Sequence, residues 1–342
     1  MKKKAAAKKK AAAKKRAKKK GPLQTVAVLT SGGDAPGMNC AVRAVVRTAV
    51  AYGLSPKTVR LGFAGLIRGD IHEASLASVG GIINQGGTVL GSARCEEFKT
   101  EKGRHKAMTH LKKQDVDALV VIGGDGSLAG GLAIHQQGIP VVGIPASIDN
   151  DIPFTDLSLG VDTALNNIVR AVDNLKDTAS SHTRAFVVEI MGRNCGYLTV
   201  AATIASGAEF SLIPEEPYDL EQICKDLRKR YQEGRNNSII MVAEGAGRAE
   251  DIAAQVKDRI GFETRVIVLG HYQRGGSPSA FDRLLGARFG RAAVDGLIQG
   301  HVGTMTGLKG SAIALTDLKK VMEAGIRPIN PMFPYLANSL AV

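Results

Sequence analysis

Tryptophan does not occur in this chain of 342 residues, and aromatic residues make up only 4% of it. Glycine, in contrast, is abundant, with 40 residues, and 44% of the chain is hydrophobic, enough for a substantial core. A composition poor in aromatics and rich in glycine suits an α/β protein in which many backbone turns approach a ligand.

Cysteine and long apolar runs are scarce as well. The four cysteines form no Cys-x-x-Cys pair and no metal-ligand spacing with histidine, which fits a reducing compartment. No stretch is apolar and long enough to span a bilayer, and the lysine-rich N-terminus lacks the apolar centre of a signal peptide. We therefore expect a cytoplasmic protein.

Acidic residues are missing from residues 1–20, which hold 12 of the 45 Lys and Arg residues. The remaining 33 basic residues face 32 acidic ones, so the net charge of +13 gives no argument that the folded part binds nucleic acid. Like charges at this density repel each other along a helix, which predicts a disordered or frayed helical arm ended by Gly21-Pro22. The arm is either a solvated tail or a weak, salt-sensitive binder of polyanions.

The length of the chain predicts two lobes. Apolar strands and helical stretches alternate without a linker break, so we expect the lobes to be discontinuous in sequence. The predicted strands are 25–30, 118–122, 140–144, 185–190, 238–243 and 265–270. The predicted helices extend from after residue 39 to about 52, over 161–177 and from 280 to about 300. Residues 309–324 suggest a short strand and a last helix.

The stretch from Ala118 to Asp151 is the most informative. A buried strand and a glycine turn with Asp125 are followed by a short helix, a second buried strand and a turn with Asp149 and Asp151. In an open parallel sheet the loops at the carboxyl ends of adjacent strands line one crevice, so the three carboxylates should converge beside phosphate-binding N–H groups. Because like charges repel, this cluster predicts a divalent cation or a proton-transfer role.

Two further glycine turns precede this stretch. Residues 31–39 form a turn between a strand and a helix, an arrangement that presents N–H groups to an anion. It is neither a Walker A loop nor Gly-x-Gly-x-x-Gly, and alone it could reflect tight packing. Its similarity to the turn at 123–127 favours phosphate binding. Residues 86–94 end in Arg94, whose planar guanidinium makes it a candidate phosphate clamp.

Each later strand delivers a polar group to the loop at its carboxyl end. Met191-Gly-Arg-Asn-Cys-Gly follows one strand, Glu244-Gly245 follows the next, and His271-Tyr-Gln-Arg-Gly-Gly-Ser-Pro follows the third. His271 alone would more often be structural, and Glu244 alone a surface carboxylate. Polar groups recur, however, at five or six strand ends, and this repetition predicts a functional site.

These motifs together resemble those of the bacterial 6-phosphofructokinases. The resemblance is carried, in order, by Leu29-Thr-Ser-Gly-Gly-Asp-Ala-Pro-Gly-Met-Asn, Gly87-Thr-Val-Leu-Gly-Ser-Ala-Arg, Val121-Ile-Gly-Gly-Asp-Gly-Ser, Ile148-Asp-Asn-Asp, Met191-Gly-Arg and Leu269-Gly-His-Tyr-Gln-Arg-Gly-Gly-Ser-Pro. It extends from about residue 25 to about residue 300, and the lysine-rich arm has no counterpart in it.

The resemblance implies an α/β fold of two doubly wound parallel-sheet lobes with the active site in the cleft between them. The nucleotide-binding lobe would comprise 23–160 and 273–323, and the sugar-phosphate-binding lobe 161–272 and 324–342, with 1–22 as the arm. In this family the enzyme transfers the γ-phosphoryl group of MgATP to the 1-hydroxyl of fructose 6-phosphate. The resemblance also implies a homotetramer, or at least a dimer.

The resemblance also implies roles for individual residues. Asp149 would be the general base, Asp125 would hold Mg²⁺, and Asp151 would lie near the metal or its waters. Residues that contact the transferring group would be Gly33 and Ser147 as hydrogen-bond donors and Arg94 and Arg193 as charge stabilisers. Residues along the nucleotide would be Cys95, Lys99, Gly124, Gly126 and Ser127. Residues that hold the sugar phosphate would be Met191, Gly192, Glu244, His271 and Arg274, with Arg184 and Arg265 supplied by a neighbouring subunit.

Two positions bear on the phosphoryl donor. Diphosphate-dependent relatives carry aspartate where this chain has Gly126, and lysine where it has Ala146. A carboxylate at 126 would repel and crowd the α-phosphate of ATP, so the small neutral residues predict ATP as donor. Ala146 and Ser147 replace the glycine and threonine that most ATP-dependent enzymes have.

Three other functions stay open at this stage. The chain could be a diphosphate-dependent phosphofructokinase, which donor assays would distinguish. It could be a non-enzymatic polyanion-binding protein with an attached sugar-phosphate sensor. It could also be a lipid or NAD kinase, since these use a Gly-Gly-Asp-Gly turn, although they lack the Ile148-to-Asp151 and His271-to-Arg274 motifs.

Overall fold

The computed structural model describes residues 23–179, 184–234, 237–261 and 263–340. The lysine-rich arm predicted over 1–22 lies outside these residues. Within them, no helix combines the length and the apolar character that crossing a membrane requires.

The strands form two sheets. In the described part of the chain they are β1 (Thr25–Ser31), β2 (Ser55–Val59), β3 (Ile71–Glu73), β4 (Ala118–Gly123), β5 (Val141–Pro145), β6 (Arg184–Ile190), β7 (Phe210–Leu212), β8 (Asn237–Ala243), β9 (Glu263–Val268), β10 (Thr304–Lys309) and β11 (Ala312–Asp317). The first sheet has the order β11-β10-β5-β4-β1-β2-β3, and the second β7-β8-β6-β9.

Parallel pairing dominates both sheets. In the first sheet the five central strands are parallel, whereas the edge strands β3 and β11 are antiparallel to their neighbours. The second sheet is parallel throughout. Every residue of β1, β4 and β5 is buried, as expected for strands that helices cover on both faces.

Helices connect the strands and cover both faces of each sheet. They span Met38–Ala51, Gly62–Arg68, Glu96–Lys99, Glu101–Lys113, Asp125–Gln136, Val161–Ala179, Tyr197–Ser206, Leu220–Gln232, Ala249–Ile260, Ala280–Gln299, Leu318–Ala324 and Met332–Leu340, with a 3₁₀ turn at Gly270–Arg274. One apolar cluster extends continuously from the first sheet to the second. Two others cover the outer faces of the sheets. The predicted α/β class with doubly wound parallel sheets is confirmed.

The short strand and the helix predicted within 309–324 are present as β11 and Leu318–Ala324, but the prediction missed an element on each side of them and that helix is not the last. Strand β10 precedes the short strand expected within 309–324, and the helix Leu318–Ala324 is followed by the helix Met332–Leu340. Gly307 lies within β10. In the structure a Cβ atom there would lie 2.4 Å from the carbonyl oxygen of Phe154, so the strand requires glycine.

A buried carboxylate fixes the start of the Val161–Ala179 helix from the neighbouring Ala280–Gln299 helix. Asp282 accepts hydrogen bonds from the backbone N–H groups of Gly160 and Thr163, both at 2.8 Å, and from the Thr163 hydroxyl at 2.5 Å. Burial raises the pKa of Asp282 to about 6, although these bonds oppose the shift. This carboxylate therefore takes the place of an N-cap side chain.

Asp282→Ala is expected to lower the free energy of unfolding by about 2–4 kcal/mol, because it leaves buried N–H donors without an acceptor. Denaturant unfolding followed by circular dichroism measures this change. Asp258→Ala, at an exposed position of the Ala249–Ile260 helix, is the control and should stay within about 0.5 kcal/mol of the parent chain. Equal denaturation midpoints for the two variants would contradict the role of Asp282 at the start of the Val161–Ala179 helix.

Candidate active site

Two glycine turns lie side by side at the carboxyl edge of the first sheet. β1 and β4 are neighbours in register, with Ser31 opposite Gly123. A Cβ atom on Gly123 would lie 2.4 Å from the Ser31 carbonyl oxygen and 2.6 Å from Ser127 Oγ, so the close approach requires glycine here. The turns at 31–39 and 123–127, which are similar in sequence, are thus neighbours in the structure.

The second glycine turn leads into the N-terminus of the Asp125–Gln136 helix. Gly124 occupies the N-cap position, and no side chain caps the helix. The first N–H groups of such a helix are free to bind an anion and carry partial positive charge. A Cβ atom on Gly126 would meet nothing within 4 Å, so the space next to this turn is open.

The turn after β5 is held by hydrogen bonds. The Ala146 N–H donates to the Gly123 carbonyl at 3.0 Å, which joins this turn to the glycine turn. Asn150 adopts a left-handed conformation with φ of 54° and is buried. Its Oδ1 accepts from the Ser158 N–H at 3.0 Å, and its Nδ2 donates to the Asp156 carbonyl at 3.3 Å. Asn150 therefore fixes the backbone between Asp149 and Asp151.

Charges act between Asp149 and Asp151 and between Asp151 and Asp125. Burial is the main cause that raises the pKa of Asp149 from 3.8 to about 6, and the charge of Asp151 raises it as well. Burial and the charge of Asp125 raise the pKa of Asp151, whereas the Ser147 hydroxyl, which donates to Asp151 Oδ1 at 3.1 Å, lowers it. Two pairs of the predicted carboxylates thus lie near each other, whereas the described residues hold no group of three acidic, histidine or cysteine side chains arranged to bind a metal ion.

Asp149 has an unused hydrogen-bond acceptor. Its Oδ1 is buried and makes no hydrogen bond to any residue that the structure describes. A buried carboxylate oxygen without a donor is costly, and it is the arrangement expected where a substrate hydroxyl is to be bound. A pKa near neutrality also suits a group that exchanges protons during a reaction.

Side chains from the second sheet reach the same carboxylate. Arg274 and Arg193 lower the pKa of Asp149 through their charges, and Glu244 raises it. Arg274 Nη1 donates to the carbonyl of Asp34 at 2.8 Å. It lies 2.6 Å from the position of a Cβ on Gly33, so a larger residue at 33 would displace the guanidinium. These contacts place residues from both sheets around one crevice.

The loop with Arg94 is anchored beside the first glycine turn. The amide of Asn39 binds this loop on both sides, donating to the Gln85 carbonyl at 2.9 Å and accepting from the Val89 N–H at 2.8 Å. The Ser92 hydroxyl donates to the Gly32 carbonyl. Arg94 is exposed and Cys95 half-buried, whereas the exposed Lys99 forms an ion pair with Glu96 at 2.9 Å.

Arg184 and Arg265 lie away from the other predicted site residues. Arg184 is the first residue of β6, whereas Met191 follows the last, and seven strand residues span about 20 Å. Both guanidinium groups pair with Glu263 at 2.5 Å, and the hydrogen bond from Arg184 is the main cause that lowers the pKa of Glu263. Neither is thus built into the crevice of its own chain.

Sequence reasoning missed Gln273. This residue is fully buried, and its Oε1 accepts from the Met191 N–H at 3.2 Å while its Nε2 donates to the Gly270 carbonyl at 3.1 Å. It therefore joins the loop of Arg193 to the loop of His271 and Arg274. The signal in the sequence was a glutamine between two candidate ligand residues, but its burial depends on tertiary packing.

A parallel α/β fold with glycine turns and an uncapped helix N-terminus at the carboxyl edge of its sheet is the architecture of the class of proteins that bind phosphate groups. The sequence profile described as Phosphofructokinase matches residues 25–297. The chain belongs to the phosphofructokinase family.

Curated relatives agree with this assignment. The chain is 49% identical over 301 residues to the ATP-dependent 6-phosphofructokinase of Halalkalibacterium halodurans, covering 88% of this chain and 94% of that protein. It is 52% identical over 302 residues to the enzyme of the same name from Thermotoga neapolitana, covering 88% and 95%.

Solved structures share the fold. Phosphofructokinase from Pichia pastoris in the T-state superposes with a TM-score of 0.84 at 35% identity, covering 94% of this chain but only 39% of the longer yeast chain. A pyrophosphate-dependent phosphofructokinase from Marinobacter aquaeolei gives a TM-score of 0.81 at 21% identity, covering 90% and 86%. At that identity the second match supports the fold alone.

Proposed function

We propose that this protein is an ATP-dependent 6-phosphofructokinase, which converts fructose 6-phosphate and ATP to fructose 1,6-bisphosphate and ADP in glycolysis. The names and identities of its bacterial relatives support this function. The structural observation that carries it is Asp149, a buried carboxylate with an unpartnered oxygen and a pKa raised to about 6 beside two glycine turns.

The proposed chemistry is an in-line transfer. Asp149 accepts the proton of the sugar 1-hydroxyl while the oxygen of that hydroxyl forms a bond to the γ-phosphorus of ATP. The bond between the γ-phosphorus and the oxygen bridging to the β-phosphate breaks, which releases ADP. The N–H of Gly33 and the hydroxyl of Ser147 donate hydrogen bonds to the transferring group. Arg94 and Arg193 stabilise its negative charge, which supplies most of the remaining rate enhancement in such reactions.

The nucleotide and the sugar phosphate occupy opposite sides of this group in the proposal. Gly124, Gly126 and Ser127 follow the nucleotide phosphates, together with Cys95 and Lys99. Met191, Gly192, Glu244, His271 and Arg274 hold the sugar phosphate. The contact between Arg274 and the Asp34 carbonyl supports the placement of both substrates in one crevice.

Asp125 and Asp151 are suited to hold the Mg²⁺ that accompanies ATP. Both are hard oxygen ligands, and Mg²⁺ is usually bound by one or two carboxylates together with substrate phosphates. The charge of Asp125 raises the pKa of Asp151, a repulsion that a cation between them would relieve. When bound, Mg²⁺ neutralises part of the phosphate charge.

Arg184 and Arg265 are assigned to the active site of a neighbouring subunit of a homotetramer. Their position toward the amino ends of β6 and β9 supports this assignment, because it directs them away from the crevice of their own chain. The proposed location is the cytoplasm.

A donor-swap assay tests the proposed function. The full chain is incubated with fructose 6-phosphate and either MgATP or magnesium diphosphate, and fructose 1,6-bisphosphate is measured. We expect turnover with MgATP and none with diphosphate. Turnover with diphosphate would overturn the interpretation of Gly126 and Ala146, and no turnover with either donor would overturn the proposed function.

Gln273→Leu is expected to lower kcat/KM for fructose 6-phosphate by about 10- to 100-fold, because the two buried hydrogen bonds that align its loops are worth about 1–3 kcal/mol together. The KM for MgATP should change by less than about twofold, since the hydrogen bonds of this side chain go to Met191 and Gly270 in the loops after β6 and β9. Gln255→Leu, at an exposed helix position, is the matched control. Equal kinetics of the two variants would refute the role of Gln273.

A further inference from the structure

A short segment near the C-terminus, residues 325–331, connects the two layers of the molecule; we call it the C-terminal strap. The helix before it packs on the first sheet, where Leu318 and Val321 are buried among residues of β4 and β5. The helix after it packs on the Tyr197–Ser206 helix, with Ala337 buried against Val200. The strap therefore crosses from one sheet layer to the other.

The strap contacts the back of the turn that carries Asp149. The Arg327 N–H donates to the carbonyl of Asp151 at 2.8 Å. The Arg327 guanidinium donates through Nη1 to the carbonyl of Asp156 at 2.5 Å. This carbonyl also accepts from the amide of Asn150 at 3.3 Å. The Arg327 side chain thus binds the same carbonyl as the side chain of Asn150, the left-handed residue between Asp149 and Asp151.

The other side of the strap faces the loop that carries Arg193. A small cavity of about 20 Å³, enough for one water molecule, lies between the strap and the two loops. Its lining includes Asn150, Cys195, Tyr197, Arg327 and Asn330. Phe333 packs on the ring of Tyr197 with the centroids 5.5 Å apart, which anchors the strap next to this loop.

We propose that Arg327 is a positioning residue for the phosphoryl transfer. It holds the Asp149 turn, which belongs to the first sheet, at a fixed place relative to the Arg193 loop of the second. Since the general base and the charge-stabilising arginine come from different sheet layers, their separation depends on such a connection. A displacement of about 1 Å at a reacting group can lower the rate by about 100-fold. This inference rests on the proposed function.

A purely structural role of the strap predicts a different result. If Arg327 only helped the last helix to pack, its loss would reduce stability and leave kcat per folded molecule unchanged. A positioning role predicts lower kcat with little change in either KM, because the side chain contacts neither substrate in the proposed arrangement. Measuring kcat and the KM for each substrate therefore distinguishes the positioning role from the purely structural one.

The test compares the full chain with Arg327→Met, Arg327→Lys and the control Lys320→Met, which removes a cation from an exposed position just before the strap. With fructose 6-phosphate and MgATP, we expect Arg327→Met to lower kcat about tenfold with both KM values within about twofold. Arg327→Lys, which keeps the charge and a donor, should lower kcat about threefold. Lys320→Met should behave like the parent chain.

A double-mutant cycle with Asp149→Asn completes the experiment. If Arg327 acts through the Asp149 turn, Arg327→Met should lower the residual kcat of Asp149→Asn by less than about twofold. Additive effects, or a parent-like kcat for Arg327→Met, would overturn the proposal. Should Arg327→Met not fold, the kcat of Arg327→Lys decides in the same way. An inactive parent chain would instead refute the proposed function.

Discussion

Replacing Asp149 by asparagine is expected to lower kcat with fructose 6-phosphate and MgATP by about 1,000-fold or more, because an amide cannot accept the proton of the sugar hydroxyl. The shape of the site is preserved, since the two side chains have nearly the same size. Substrate binding should therefore change far less than kcat, which a comparison of initial rates over a range of both substrates measures.

The raised pKa of Asp149 adds a second expected result. A base acts in its deprotonated form, so the kcat/KM of the parent chain should fall as the pH drops through about 6. Between pH values near 4 and 6 the folded state also binds more protons than the unfolded state, so ionisation of Asp149 destabilises the fold as the pH rises. Asp149→Asn removes this cost and should raise the free energy of unfolding at pH 7 by about 1–3 kcal/mol.

Opposite changes in activity and stability are characteristic of a functional group rather than a packing residue. Asp258→Asn, at an exposed position, is the control and should change neither quantity. A kcat for Asp149→Asn within tenfold of the parent would show that another group accepts the proton. A lower stability at pH 7 would show that Asp149 has favourable partners in the folded chain.

The sequence alone predicts the crevice because it depends on local patterns. The strands that end at Gly123 and Pro145 are apolar runs followed by turns, and parallel pairing necessarily brings their carboxyl ends together. The placement of Asp125, Asp149 and Asp151 in turns at one edge of the sheet follows from this rule without knowledge of any side-chain contact.

The residues that support the crevice depend on contacts between distant parts of the chain. The Met191 N–H gives the buried amide of Gln273 a partner, and Ser158 and Asp156 bind the side chain of the left-handed Asn150. Arg327 follows the Asp151 carbonyl that it contacts by well over a hundred residues. No periodicity or motif spacing encodes such pairs.

The helix Met332–Leu340 was missed for a different reason. Pro331 and Pro334 stand on either side of the residue that begins this helix. In the structure Pro334 lies in the first turn, where the backbone N–H has no partner within the helix and proline is tolerated. The same residue type thus marks a helix start rather than a loop.

Gly126→Asp is expected to lower kcat/KM for MgATP by about 100-fold, which corresponds to about 2.7 kcal/mol. Gly126 is the second residue of the Asp125–Gln136 helix, and its missing side chain would point into open space. In the proposed complex that space holds the α-phosphate of ATP. A carboxylate about 4–5 Å from a phosphate charge is repelled by about 3–4 kcal/mol at an effective dielectric constant near 20.

The fold should tolerate this substitution. Gly126 does not have a positive φ, and a glycine inside a helix costs about 1 kcal/mol relative to better helix formers. An acidic residue in the first helical turn also interacts favourably with the helix dipole, although the neighbouring Asp125 and Asp151 oppose it. We therefore expect a melting temperature within about 2 °C of the parent chain, so that any loss of activity reflects the site.

Gly126→Asn separates charge from crowding, because it adds a side chain of the same size without a charge. We expect Gly126→Asn to lower kcat/KM for MgATP by no more than about tenfold. Added salt should reduce the loss in kcat/KM for Gly126→Asp but not for Gly126→Asn, because salt screens charge repulsion. Equal losses in the two variants would mean that crowding alone excludes the nucleotide. Full ATP activity in both would place the α-phosphate elsewhere and would remove the physical reason for assigning ATP rather than diphosphate as the donor.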